Sequence, residues 1–317
     1  MTEKTDANQA PSDESLRTVV IAFSANAAIA VAKTAAAVLS GSASMLAESA
    51  HSWADTGNQV LLYVADRRGK RPADVRHPLG YGRETYVWAL LAAVGLFVVG
   101  ASVSIWHGIT EIMHGEDGSS DYLLSYVVLL IAFVLEGISL AQAVRQLRGE
   151  AREYDRDLFE HALATSDPTT RAVFAEDSAA VIGIVIAFAG IGLHQLTGNP
   201  AWDGIGSILV GLLLGAVAVI LIDRNRRFLT GEAGSDELRE AMVARIKGLA
   251  DVAEVRFARL VFVGPKRLFL VASVDLVGDP VESHVARTLR RLEAELEQDP
   301  RIQDAVLTIA DPDELDR

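Results

Sequence analysis

Six stretches of the chain are apolar over roughly the 20 residues that a membrane-spanning helix needs. They lie at 18–40, 43–65, 86–112, 122–146, 173–196 and 203–222. Beyond residue 229 the pattern changes: charged residues become frequent, and apolar positions fall at strand or helix spacing. The predicted order there is helix 235–248, strand 253–263, strand 268–277, helix 282–298 and strand 302–310. VRFARLVF and LFLVASVDL are β-rich runs joined by VGPKR, which carries turn residues. VARTLRRLEAEL is amphipathic near helical spacing. An αββαβ order predicts helices on one side of a three-stranded sheet. The expected fold class is an α-helical membrane protein with six transmembrane helices plus a C-terminal α+β domain. The expected organisation is an unstructured tail 1–17, a transmembrane domain 18–228 and an αββαβ domain 229–317.

Half of the residues are hydrophobic and the mean hydropathy is +0.25, high for a soluble chain. The formal net charge is −13, but its distribution is more informative. The connection after the second span carries Arg67, Arg68, Lys70, Arg71, Arg76 and Arg83; that after the fourth carries Arg145, Arg148, Arg152, Arg156 and Arg171. Arg224, Arg226 and Arg227 follow the sixth, whereas SGSAS, HGEDGSSD and HQLTGNPAWD carry no Lys or Arg. The positive-inside rule then puts both termini and the C-terminal domain in the cytoplasm, of a bacterial inner membrane if the source is bacterial. No basic face with interleaved aromatics is present, so nucleic acid is not an expected partner. The absence of cysteine excludes disulfides and thiolate metal sites. MTEKTDANQAPSDES is polar and lacks the basic-then-apolar pattern of a leader.

Polar residues inside the spans carry the candidate chemistry. Glu48, His51 and Asp55 in the second span stand at i, i+3 and i+7 and share one helix face. An acid near the bilayer centre costs roughly 2.5–3.5 kcal/mol, so that face must point into a bundle or a wet cavity. His51 and Asp55 offer a nitrogen and a carboxylate oxygen one turn apart, and Zn²⁺ accepts such atoms at about 2.0–2.2 Å. One helix comfortably supplies two ligands, so a partner is required. Glu176-Asp177 in the fifth span are suitable. The alternative is a buried polar cluster that only holds helices together. Asp203 is expected to cap the sixth span, and Gly204, Gly206, Gly211 and Gly215 to let that helix pack closely.

GSASMLAESAHSWADTGNQ, RHPLGYGRE, EDSAAVIG and GNPAWDGIGSILVG resemble the cation diffusion facilitator family of divalent-metal transporters, and within it the subgroup of the animal mitochondrial zinc transporter. The resemblance implies a homodimer that exports Zn²⁺, or Fe²⁺, Co²⁺, Cd²⁺ or Mn²⁺, in exchange for protons. The metal would be cargo, with no organic cofactor and the lipid bilayer as surroundings; the protein would be a transporter and not an enzyme. The family's paired HxxxD or DxxxD motifs map onto His51, Asp55 and Asp177, but Val173 stands where the fourth ligand would fall. Glu176, Asn26, Glu136, Glu48 or a water are the candidates to replace it. Asp74 and His77 match a second family site, where Tyr81 replaces a usual histidine, so HPLGYG is expected to be structural. Of the residues of a third site, His284 and Asp311 remain, and His284 is expected at the surface.

Imidazole plus carboxylate suits Zn²⁺, whereas an all-oxygen site suits Mn²⁺ or Mg²⁺. The expected mechanism is alternating access. Protons replace the ion, because binding requires neutral imidazole and ionised carboxylates. A non-transporting scaffold with a degenerate site is the rival. A metallohydrolase is disfavoured, since HExxH is absent.

Overall fold

A computed structural model describes residues 13–115, 122–153, 157–278 and 281–310, with side chains from residue 23 onward except Phe97 and Glu153. Residues 1–12 of the expected tail, the 116–121 connection and Asp311 lie outside the described residues; Asp13 already begins the first helix. The chain forms two compact units.

The first unit contains residues 1–64, 89–163 and 169–222. Its helices are α1 (Asp13–Ser40), α2 (Ala43–Gly69), α3 (Glu84–Gly95), α4 (Val103–His114), α5 (Tyr122–Glu153), α6 (Leu158–Ala164), α7 (Pro168–Thr197) and α8 (Ala201–Leu229). A π-helical turn, Leu96–Ser102, joins α3 to α4 within one span. The short α6 and the start of α7 at Pro168 follow from the polar 145–171 stretch, since proline is well tolerated at the first helical position. Among the described residues five segments are long and apolar enough to cross a membrane: Phe23–Ser40, Glu84–His114, Tyr122–Arg152, Pro168–Thr197 and Ala201–Leu229. The sixth helix, α2, is not among them, because its stripe is polar.

That stripe is what α2 buries. Glu48, Ser49, His51, Ser52, Thr56 and Asn58 are all buried. Met45, Ala47 and Leu62 of α2 each join a different apolar cluster of the unit, so neighbouring helices enclose it. The helix α5 has the opposite character. Leu123, Val127, Leu130, Ile131, Val134 and Ile138 are exposed, as expected of a lipid-facing surface.

Helices α4 and α8 approach closely through glycine. A Cβ on Gly108 would lie 2.5 Å from the Gly204 carbonyl oxygen, and one on Gly204 2.7 Å from the Gly108 oxygen. Ser207 Oγ donates to the Ser104 carbonyl at 2.7 Å beside them. Gly204 of the sixth span thus acts through small-residue packing. Gly211 meets Ala101 and Ile105, and Gly206 meets Ser44.

The second unit contains residues 65–88, 164–168 and 223–317. It holds α9 (Asp236–Lys247), β1 (Val252–Gly264), β2 (Arg267–Leu276), α10 (Glu282–Leu296) and β3 (Ile302–Ile309). Strand order is β1-β2-β3. β1 pairs antiparallel with β2, and β2 parallel with β3. The tight β1–β2 turn puts Lys266 at φ 56°. Met242 and Ile246 of α9, Leu292 and Leu296 of α10 and Leu270, Ala272 and Val274 of β2 share one core. Ser235 caps α9, its side chain accepting from Leu238 N.

Within this unit the HPLGYG segment packs on the β1–β2 hairpin. A Cβ on Gly82 would lie 2.5 Å from the Val263 carbonyl oxygen. Tyr86 is fully buried; its hydroxyl donates to Ser166 O at 2.8 Å, and its ring stacks on Phe228 at 5.1 Å.

Candidate metal centre

The first requirement is a fixed α2, and its N-terminus is held by another helix. Asp203 is fully buried. Its carboxylate accepts from Ala43 N at 2.6 Å, Ser44 N at 3.2 Å and Ser42 Oγ at 3.0 Å. Its carbonyl accepts from Ser44 Oγ at 2.7 Å. Ser42 Oγ then accepts from Met45 N, and Ser42 O from Leu46 N. The first four amides of α2 are thereby satisfied, and a carboxylate sits at the positive end of the helix dipole. The expectation that Asp203 caps its own helix is corrected. α8 begins at Ala201, whose amide is bonded by Asn199 Oδ1, and the Asp203 carboxylate turns to α2. Local sequence shows an acid at a helix start but not which helix start it serves.

From that anchor, Glu48, His51, Asp55 and Asn58 follow at three-, four- and three-residue steps. Glu48 Oε2 accepts from Lys33 Nζ of α1 at 2.9 Å, with both side chains at or below 1% exposure. Glu48 Oε1 has no hydrogen-bond partner among the described residues. His51 Nε2 stands 3.0 Å from Asp55 Oδ2, yet the pair is not aligned as a hydrogen bond. Both His51 ring nitrogens and Asp55 Oδ1 are buried without hydrogen-bond partners among the described residues. Buried polar atoms are normally satisfied, so a cluster of orphaned lone pairs is the kind of place a cation would fill.

The two α7 acids diverge, as adjacent positions on a helix must. Glu176 is buried and accepts a short hydrogen bond from Asn58 Nδ2 of α2. Asp177 is half-buried and accepts from Ser139 Oγ of α5 at 2.7 Å. Glu136, also on α5, is half-buried. The charges of Asp55, His51 and Asp177 act on Glu176, and those of Glu136, Asp55 and His51 act on Asp177. One electrostatic neighbourhood therefore joins α2, α5 and α7. Still, no group of three His, Asp or Glu among the described residues is gathered to hold an ion. Asn26 on α1 is half-buried.

Three partners escaped the sequence reading: Lys33, Asn58 and Ser139. A signal existed for two. Lys33 is the sole charged residue between positions 18 and 47, and Asn58 extends the spacing of the stripe. Ser139 had none, because a serine in a membrane helix is commonplace.

Asp74 and His77 lie elsewhere, exposed in the loop after α2. Asp74 accepts from Tyr81 OH at 2.7 Å and from the amides of Arg76 and His77 at 2.9 and 2.7 Å. Its carboxylate closes a turn. The Tyr81 hydroxyl is the largest influence holding the Asp74 carboxyl below its ordinary range, followed by the His77 amide. Because the folded value is depressed, this contribution to loop order is present above the ordinary carboxylate range and is lost as pH falls through the depressed value. Tyr81→Phe should move the Asp74 titration upward, read by NMR of the side-chain carboxyl; an unmoved titration would refute the assignment. His284 is exposed in the first turn of α10.

The model of the cation efflux transmembrane domain matches residues 19–229. The chain is 34% identical to the mitochondrial proton-coupled zinc antiporter SLC30A9 of Xenopus laevis, over 83% of this chain and 47% of that protein. It is 35% identical to metal tolerance protein C4 of Arabidopsis thaliana, over 78% of this chain and 54% of that protein. Zinc transporter ZitB of Escherichia coli is 25% identical over 81% of this chain and 76% of its own length. The chain spans about half the length of the first two relatives. With the matched domain covering α1 through α8 and the HxxxD helix at its centre, the chain belongs to the cation efflux family of cation diffusion facilitators.

Proposed function

We propose that this protein transports a divalent metal cation, Zn²⁺ first among them, out of the cytoplasm in exchange for protons by alternating access. The observation that carries the proposal is the His51–Asp55 pair at 3.0 Å, in which the buried imidazole lacks a hydrogen bond at both ring nitrogens among the described residues. His51 and Asp55 supply half of a tetrahedral set. Asp177 supplies a third ligand from α7, and Glu176 takes the position that Val173 cannot fill once it leaves Asn58. A site with one half paired on α2 and the other held by Asn58 and Ser139 suits an ion that is bound and released. The names of the relatives, a proton-coupled zinc antiporter and a zinc transporter, support the same cargo.

Proton exchange follows from ligand chemistry. Bound metal needs neutral imidazole and ionised carboxylates, so loading releases protons. Ion affinity should therefore fall as pH drops, because protons compete for the same nitrogen and carboxylate lone pairs. The arginine-rich connections support a topology with both termini in the cytoplasm, and the same reading takes the α+β unit as the contact of a homodimer in the cell membrane.

The test is flux of Zn²⁺, Mn²⁺, Fe²⁺ and Co²⁺ in liposomes. His51→Ala, Asp55→Ala and Asp177→Ala should each cut Zn²⁺ flux at least about tenfold, since each removes a ligand, while gel filtration shows folded protein; Glu176→Ala should reduce it less. Flux insensitive to a pH gradient would refute antiport. A second reading, a scaffold with a degenerate site, draws on the absence of three gathered ligands among the described residues. No divalent flux in any condition would favour it.

A further inference from the structure

Lys33 is an expensive residue to bury. An ammonium withdrawn from water needs a matched anion in good geometry, and Glu48 is that anion, at 2.9 Å. The pair lies one turn from His51, on the face that carries His51 and Asp55. The Lys33 charge acts on both His51 and Glu136. A tethered cation thus stands beside a site for a free one. Only one oxygen of Glu48 is engaged; the other, Oε1, is buried without a hydrogen-bond partner among the described residues. That oxygen lies where Gly183 of α7 leaves room, 2.5 Å from the position a Cβ would take. Glu48, one helix turn from His51, therefore has one oxygen held by Lys33 and one unengaged.

Resting on the transport reading above, we infer that Lys33 is a specificity-determining residue: its ammonium keeps Glu48 out of the ligand set and so keeps the site poor in oxygen. An extra carboxylate would shift a His-containing site toward the oxygen-rich coordination preferred by Mn²⁺. Lys33 also makes Glu48 neutral as a pair, so the field at His51 does not gain the attraction of an uncompensated acid. A lysine used only to join α1 to α2 would affect folding but not the ratio between ions.

Wild-type protein, Lys33→Met, Glu48→Gln and the double variant, each reconstituted in liposomes, decide the matter through Mn²⁺ and Zn²⁺ flux measured side by side. Lys33→Met should raise the Mn²⁺-to-Zn²⁺ ratio by about tenfold, because it frees an oxygen ligand. The double variant, which has neither charge, should return to the wild-type ratio. Glu48→Gln leaves the ammonium unpaired beside the site and should weaken both ions alike, by several-fold in the half-saturating concentration. An unchanged ratio in folded Lys33→Met, or a double variant that keeps the Mn²⁺ shift, overturns the inference. If Lys33→Met yields no folded protein, Glu48→Gln decides, and an unchanged half-saturating concentration there overturns it. A wild-type protein that moves no divalent ion defeats the transport reading itself. Wild-type flux that is lost in His51→Ala, with no ratio change in Lys33→Met, defeats the role of Lys33 alone.

Discussion

Asp203→Ala should leave little folded protein. The substitution removes one buried carboxylate but orphans three donors at once: the amides of Ala43 and Ser44 and the Ser42 hydroxyl. A buried donor left unsatisfied costs about 1–3 kcal/mol, and more when its lost partner was charged. Three together reach on the order of 5 kcal/mol, comparable with the whole stability of many domains, ~5–15 kcal/mol. Water cannot easily replace the lost acceptor, since Ser42, Ser44 and Asp203 are all buried. The loss would be felt where it matters most, because the freed helix is the one that carries His51 and Asp55. Asp203→Asn keeps one acceptor oxygen and should retain part of the stability. Thermal unfolding in detergent, followed by gel filtration, checks both variants. A melting temperature for Asp203→Ala within a few degrees of wild type would show that α2 is not held from α8.

Gly204→Val should be nearly as damaging, by an opposite route. Here nothing polar is lost; volume is added where none is free. The Cβ would fall 2.7 Å from the Gly108 carbonyl oxygen and 2.7 Å from Ile112 Cγ1. The carbonyl is helix backbone and cannot rotate away, so α4 and α8 must separate. Inserting methylenes into a packed interior costs about 1–3 kcal/mol, and parting the helices also lengthens the 2.7 Å Ser207–Ser104 hydrogen bond. Gly108→Val should behave alike, since it meets the same contact from the other side. Gly57→Ala is the control. Its Cβ meets nothing within 4 Å, and replacing a mid-helix glycine by alanine favours the helix by roughly 0.5–1 kcal/mol. Equal melting temperatures for Gly204→Val and Gly57→Ala would refute the close crossing.

The elements follow from the order of residues alone. The six apolar windows became the helices from α1 to α8, with α3 and α4 sharing one window and α6 lying between two. The helices and strands after residue 229 fall within two residues of their expected limits. These are local properties: an apolar run of about 20 residues has few places to go but a membrane, and alternation or 3.6-residue spacing selects strand or helix over short windows. The polar face of α2 was legible for the same reason, since helical spacing alone puts Glu48, His51 and Asp55 together.

What spacing cannot give is the partner. Asp203 reads as the cap of the helix it begins, and the tertiary structure turns it onto α2, about 160 positions earlier. Glu176 and Asp177 read as one acidic pair. The rotation of roughly 100° between neighbouring helix positions sends one to Asn58 of α2 and the other to Ser139 of α5. Lys33 reads as an isolated polar residue in an apolar helix, and only the packing of α1 on α2 makes it the counter-ion of Glu48. In each case a buried charge or lone pair must be matched by whatever side chain the fold brings within about 3 Å, and that side chain can stand anywhere in the sequence.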